Sequence, residues 1–262
     1  VVDAGRGGQA RIRDMRWQCH ELFHRMPPGA VAGGIAVVID VLRASTTIAT
    51  ALAHGAALVL PRRSIDEAQA TAAARVGALL GGERGGVKIA GFDLGNSPAE
   101  YTAARVAGKP VVITTTNGTA ALAACHDAAE VLVGAIVNRA AVAATARALA
   151  TARGCDTIHV VCAGTDGQVT DEDLLAAGAI LDKAGHDDEL DAAARAARDR
   201  FRGLAAAGRA GLEERIASAF RTCRGGENLI ALGMEADLAS AAAIDSLAIV
   251  PRLDREAEAL GA

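Results

Sequence analysis

Short apolar runs that stop abruptly in polar residues punctuate the chain. Val37-Val38-Ile39 leads into Asp40-Val41-Leu42-Arg43-Ala44-Ser45-Thr46-Thr47, Val111-Val112-Ile113 into Thr114-Thr115-Thr116-Asn117-Gly118-Thr119, and Val160-Val161-Cys162 into Ala163-Gly164-Thr165-Asp166. Apolar runs of this length bounded by turn residues read as strands, and the alanine-rich stretches after them carry the best helix former. The alternation predicts an α/β fold in three α/β/α layers. Strands are expected at 35–40, 57–60, 87–89, 111–113, 131–133, 157–162 and 247–250. Helices are expected over 44–54, from Ser64 with Glu67 in the capping-box position, from near Thr170 with Asp173 as its capping partner, and over 188–207 and 211–221. Gly81 to Gly86 reads as a turn-rich loop, and Ser97-Pro98 as the N-cap and first position of a helix.

The pattern restarts at Pro110. Strand, threonine-rich turn, alanine-rich helix and strand at 111–133 repeat the spacing of 37–60, which predicts an internal duplication with two similar lobes, about 31–109 and 110–262. Residues 1–30 read as an arm, irregular around Gly5, Gly7 and Gly8, with a short helix over 17–24 ended by Pro27-Pro28.

Composition narrows the function classes. Hydrophobic residues make up 51% of the 262 but aromatics only 2%, so the core must be built from Ala, Val, Leu and Ile with closely approaching helices. The net charge of -4, without a basic run interleaved with aromatics, excludes a nucleic-acid scaffold. Five cysteines without CxxC spacing signal neither a zinc ribbon nor a redox pair, and fit a reducing cytoplasm. No signal peptide and no apolar run of about 18 residues points to a membrane. Alanine on the late helices is compatible with a homodimer.

In an open α/β sheet, ligands bind beyond the carboxyl ends of the strands, where loops and helix N-termini offer free N–H donors. An anion site is therefore expected in the cleft at those ends. Asp40 can hold a hard divalent cation, Arg43 matches phosphate or carboxylate, and Ser45, Thr46 and Thr47 supply helix-start donors. The alternative for this group is a helix cap with an Asp–Arg pair. Glu83 and Arg84 lie among four glycines, suited to close approach of a ligand or to a solvated turn. Asp93 and Asn96 follow in the next loop. Thr115, Thr116, Asn117 and Gly118 could cradle an oxyanion, although the lysine and spacing of a P-loop are missing. Asn138 takes the equivalent place after the next strand, with capping as its other reading. Asp166, Glu172 and Asp173 follow the third strand as metal ligands or as first-turn acids that complement the helix dipole. His20-Glu21-Leu22-Phe23-His24 matches the helical zinc-peptidase pattern, but no further ligand follows it.

Taken together, these motifs resemble the 2-phosphosulfolactate phosphatase family. The resemblance spans 34–251 and rests on VVIDVLRASTTI at 37–48, GGERGG at 81–86, GFDLGNSPAEY at 91–101, TTTNGTAAL at 114–122, VCAGTDG and EDLLAAG within 161–178, and NLIALGMEADL near the end. Ala176 stands where the family often carries cysteine, and the arm with His20 and His24 is outside the pattern. The resemblance implies a Mg2+-dependent phosphatase acting on phosphate esters of small 2-hydroxy acids, with 2-phosphosulfolactate going to sulfolactate. Under that expectation Asp40, Glu83, Asp93 and Asp173 are the candidate Mg2+ ligands, and Arg43 and the turn from Thr115 to Gly118 hold phosphate. Ser45, Thr46 and Asn138 assist binding, and Arg84 and Asn96 take the carboxylate or sulfonate. Direct attack by water is expected rather than a phospho-Asp40, because Leu42 stands where a second aspartate would be needed. Two other functions stay open: a non-catalytic organic-anion binder, and a zinc peptidase through His20, Glu21 and His24.

Overall fold

A computed structural model describes residues 14–262; the glycines expected to be irregular at 5–8 lie outside the described residues. The chain enters through β1 (Arg16–His20), β2 (Ile35–Ile39), α1 (Ala44–Ala53), β3 (Leu58–Pro61), α2 (Ile65–Ala73), β4 (Leu79–Arg84) and β5 (Val87–Lys88). It continues through α3 (Ala103–Val106), β6 (Pro110–Thr114), α4 (Gly118–Ala124), β7 (Glu130–Val133), α5 (Arg139–Arg153), β8 (Thr157–Cys162) and α6 (Asp171–Leu181). The last part comprises β9 (Glu189–Leu190), α7 (Ala192–Ala205), α8 (Leu212–Arg221), α9 (Arg224–Ala231), α10 (Ala236–Ala242), β10 (Arg252–Asp254) and β11 (Ala259–Gly261). The fold is α/β, as the alternation predicts. Among the described residues no helix is long and apolar enough to cross a membrane.

All the named strands join one sheet in the order β5-β4-β6-β3-β11-β10-β7-β2-β8-β1-β9. Strand β2 is apolar on both faces because both are covered: Ile35, Val37 and Ile39 pack into one core, and Ala36 and Val38 into another. The small-residue core draws helices together as composition requires. A Cβ on Gly178 of α6 would overlap the carbonyl oxygen of Ala197 in α7.

Strand directions divide the sheet. Three antiparallel steps in succession, β7 to β10, β10 to β11 and β11 to β3, leave β3, β4 and β6 running opposite to β7, β2, β8 and β1. The β-α-β order recurs without dividing at 109/110: β2–α1–β3 and β6–α4–β7 each begin in one group and end in the other. Thus β2 pairs with β7, and β3 with β6. The lobes expected at 31–109 and 110–262 are interleaved.

Four local expectations are corrected. The segment 17–24 is not a helix but β1 followed by a 3-10 turn at Phe23–Arg25. Met15, Trp17 and Cys19 are buried with period two, and Trp17 Nε1 donates to Asp188 Oδ2 at 2.8 Å. Glu83 lies in strand β4, not in a loop. Gly82, at φ +141°, lets that strand pass beside β6, where any Cβ would overlap the Thr114 carbonyl oxygen. Residues 247–250 form no strand, and the terminal hairpin is β10–β11. The Ser64 cap holds, its Oγ accepting from Glu67 N at 3.1 Å, whereas Thr170 makes no side-chain cap bond.

Candidate active site

The carboxyl ends of the two opposed strand groups meet in a cavity of about 380 Å³. Asp40 and Arg43 enter it from the turn after β2, Glu83 from the end of β4, Asn96 from the following loop, and Thr116 and Asn117 from the turn after β6. Asp166 borders it after β8, and α9 closes one side with Asn228, Leu229 and Leu232. Polar groups from the strand ends thus face a largely apolar helix wall.

The turn after β2 is built by its own hydroxyls. Ser45 Oγ accepts from Asp40 N at 2.8 Å, and Thr46 Oγ1 donates to the Val41 carbonyl at 2.8 Å. Both side chains are therefore engaged by the backbone, and neither lines the cavity. Backbone amides of Ala44 and Gly118 donate to the Asp40 carboxyl, and Gly118 must lack a side chain because a Cβ would lie 2.7 Å from Ala44 Cβ and 2.8 Å from Asp40 Oδ2. The turns after β2 and β6, the repeated elements, are pressed together at this point.

Glu83 is tied at both oxygens. Oε1 accepts from Thr116 N at 2.7 Å and Thr116 Oγ1 at 3.0 Å, and Oε2 from Gly86 N at 2.7 Å. Arg43, 3% exposed, donates to Asp237, Met234 and Gly86. Asn96 Oδ1 is buried without a partner among the described residues. Burial first, and then the Glu83 charge, push the Asp40 carboxyl up to about 7.

Several expected site residues lie elsewhere. Asp93 is exposed, and its Oδ2 accepts from Leu80 N at 2.8 Å, which fixes the loop against β4. Asp173 is buried, its oxygens accepting from Val41 N and Gly164 N, each at 2.9 Å. It holds the Asp40 turn against the loop after β8 instead of facing the cavity. Asn138 bonds Ala135 N, Val133 O and Ile249 O with its amide, as a cap and tie. Thr115 Oγ1 accepts from Thr119 N at 3.3 Å at the start of α4. Arg84 donates to the Glu83 carbonyl and to Thr114 Oγ1, away from the cavity. Ser97 does not cap its helix but donates to Asp237 Oδ1 at 2.6 Å.

No local pattern marks the α9 wall or Asp237 as part of a site, although both fall in the NLIALGMEADL motif. Glu172, a candidate with two possible roles, is buried, with Oε1 accepting from Gly225 N of α9 at 3.0 Å and Oε2 unpartnered among the described residues. Burial raises its pKa. Burial raises Asp173 as well, followed by the charge of Asp40.

The His20-to-His24 pattern does not form a metal site. His20 ends a strand, with Nε2 3.1 Å from His159 Nδ1, while His24 lies exposed in the 3-10 turn, so the two imidazoles share no helix face. Among the described residues no three His, Cys, Asp or Glu side chains gather as a metal-ligand set.

The family model of 2-phosphosulpholactate phosphatase matches residues 22–256. The chain belongs to that family. It is 41% identical over 230 residues to a probable 2-phosphosulfolactate phosphatase of Symbiobacterium thermophilum, covering 86% of this chain and 93% of the relative. A protein of the same description from Deinococcus radiodurans is 43% identical over 222 residues, covering 84% and 87%. Another, from Gloeobacter violaceus, is 40% identical over 221 residues, covering 83% and 87%. The match to the 2-phosphosulpholactate phosphatase family extends beyond the 34–251 of the motifs at both ends. Each of those motifs lines the cavity or supports a residue that does.

Proposed function

We propose that this protein is a Mg2+-dependent phosphomonoester hydrolase that releases phosphate from a phosphorylated small 2-hydroxy acid, with 2-phosphosulfolactate to sulfolactate as the favoured reaction. Membership of a phosphatase family and relatives described by that activity support the reaction class. The observation that carries the reading is the convergence of Asp40, Glu83, Arg43 and Asn117, distant along the chain, on one cavity sized for a small ester.

The donor set fits a hard cation. Two carboxylates repel each other across the cavity, and the buried Asn96 Oδ1 is an acceptor awaiting a positive partner. Mg2+ takes oxygen ligands, commonly one or two carboxylates with substrate phosphate and water completing the shell. Asp40, Glu83 and Asn96 would hold it, in place of the four acids expected from the sequence. When bound, it supplies charge neutralisation for the phosphoryl and leaving oxygens.

The chain's own groups account for the rest. Arg43 and the side chain of Asn117 orient the phosphoryl group, and the Thr116 turn is held rigid by Glu83. The organic body lies along Leu42, Leu229 and Leu232, with Asn228 at the far side. Attack is by water directly; trapping of a phosphoryl group on Asp40 would overturn that.

The test is phosphate release from 2-phosphosulfolactate and from phosphorylated lactate and glycerate. Release is expected with Mg2+, to be abolished by EDTA and restored by Mg2+ in excess. Tight binding of these esters without release, unaffected by EDTA, would instead identify an organic-anion binder.

A further inference from the structure

The C-terminal motif from Asn228 to Leu238 does more than close the cavity. Asp237, in α10, is buried in the structure with both oxygens engaged: Oδ1 accepts from Ser97 Oγ at 2.6 Å and Oδ2 from Arg43 Nη1 at 2.8 Å. The ion pair is nearly sealed from solvent, its two side chains 3% and 5% exposed. Arg43 Nη1 also points at Met234 Sδ, at 2.7 Å, and Nη2 donates to the Gly86 carbonyl at 2.7 Å. Three of the guanidinium's N–H groups are thereby occupied, which leaves Nε–H and the second Nη2–H without a protein partner among the described residues.

A guanidinium binds an oxyanion best when two N–H groups meet two oxygens at once, and that requires a fixed plane. Arg43 borders the cavity, so its plane decides where such an anion sits. We propose that Asp237, seated by Ser97, is a positioning residue that locks Arg43 so that its two remaining N–H groups receive the phosphoryl group of the substrate. This rests on the phosphatase reading above and assigns to that site a residue contributed from nearly two hundred positions downstream of Arg43.

The Arg43 contact is made in ground state and transition state alike, so its loss is read in KM more than in kcat. Asp237→Asn is expected to raise KM for 2-phosphosulfolactate by about tenfold or more with kcat within about threefold, and to raise the inhibition constant of inorganic phosphate in parallel. Because Asp237 acts through Arg43, the double variant Arg43→Gln/Asp237→Asn is expected to be no weaker in KM than Arg43→Gln alone. An unchanged KM in a folded Asp237→Asn protein, or additive effects in the double variant, would overturn the proposal. Should Asp237→Asn fail to fold, Ser97→Ala decides, with a smaller KM increase expected and an unchanged KM counting against it. If the wild type releases no phosphate at all, the phosphatase reading has failed. Calorimetric binding of inorganic phosphate to wild type and Asp237→Asn then judges the Arg43 lock separately: weaker binding in the variant upholds it, equal binding ends it.

Discussion

Asparagine in place of Asp40 is expected to abolish phosphate release, lowering kcat/KM by about a thousandfold or more, on the order of 4 kcal/mol of transition-state stabilisation. The loss follows from position: this carboxyl sits where the turns after β2 and β6 touch, held by the amides of Ala44 and Gly118. Steady-state kinetics on the folded variant measures it. The same substitution changes how stability depends on pH. The folded carboxyl titrates at about 7, against about 3.9 in an unfolded chain. Between these values the folded chain binds more protons, so stability falls as pH rises toward and through 7. Asp173 and Glu172, also raised by burial, act in the same sense.

The paired imidazoles of His20 and His159 act oppositely. Burial lowers His20, and burial with the His20 charge brings His159 down to about 4. Their contribution is complete above about pH 6.5 and is lost as pH falls toward 4. From pH 6.5 to 8 the carboxyls therefore set the slope among these groups. Metal-free wild type is expected to melt at lower temperature across that interval, and Asp40→Asn to show a shallower decline. Equal slopes would mean that Asp40 is already ionised at pH 6.5.

The second large effect is expected from Gly118→Ala. The added methyl would stand 2.7 Å from Ala44 Cβ and 2.8 Å from Asp40 Oδ2, so one of the two turns must move. Overpacking of this kind costs about 1–3 kcal/mol. Activity should suffer more than stability, because the group displaced is the carboxylate itself. A fall in kcat/KM of about a hundredfold is expected, since misplacement by about an ångström has that consequence. Urea unfolding and kinetics on the same preparation separate the two effects. Wild-type kinetics in this variant would show that the contact between the repeated turns is not what places Asp40.

What the sequence discloses and what it hides have physical causes. Strands β2, β6 and β8 are legible because each contains an uninterrupted apolar run, 37–39, 111–113 and 160–162, that gives way to turn residues. Strand β1 carries an equally clear period of two at Met15, Trp17 and Cys19, but the overlapping His-Glu-x-x-His spacing favours a helix. In β4, glycines suggest a loop, yet they are what permits a strand to pass close to β6 and Tyr101. Asp40, Arg43, Glu83, Asn96, Thr116 and Asn117 are visible as polar residues at strand ends. So are Ser45, Thr46, Thr115, Asp93, Asp173 and Asn138, which bond backbone groups outside the cavity lining. Residue type and spacing do not reveal whether a polar atom faces a cavity or an amide. The α9 wall and Asp237 depend on contacts across most of the chain, and the interleaving of the two repeats depends on strand pairing that no local pattern encodes.

Whether the distant strand ends form one catalytic pocket can be seen outright in a crystal grown with Mg2+, phosphate and sulfolactate, the proposed products. Phosphate is expected between Arg43 and Asn117, the cation on Asp40, Glu83 and Asn96, and the organic acid along α9. Density for these molecules at any other face, with the space between Asp40 and Asn117 filled only by water, would refute the assignment.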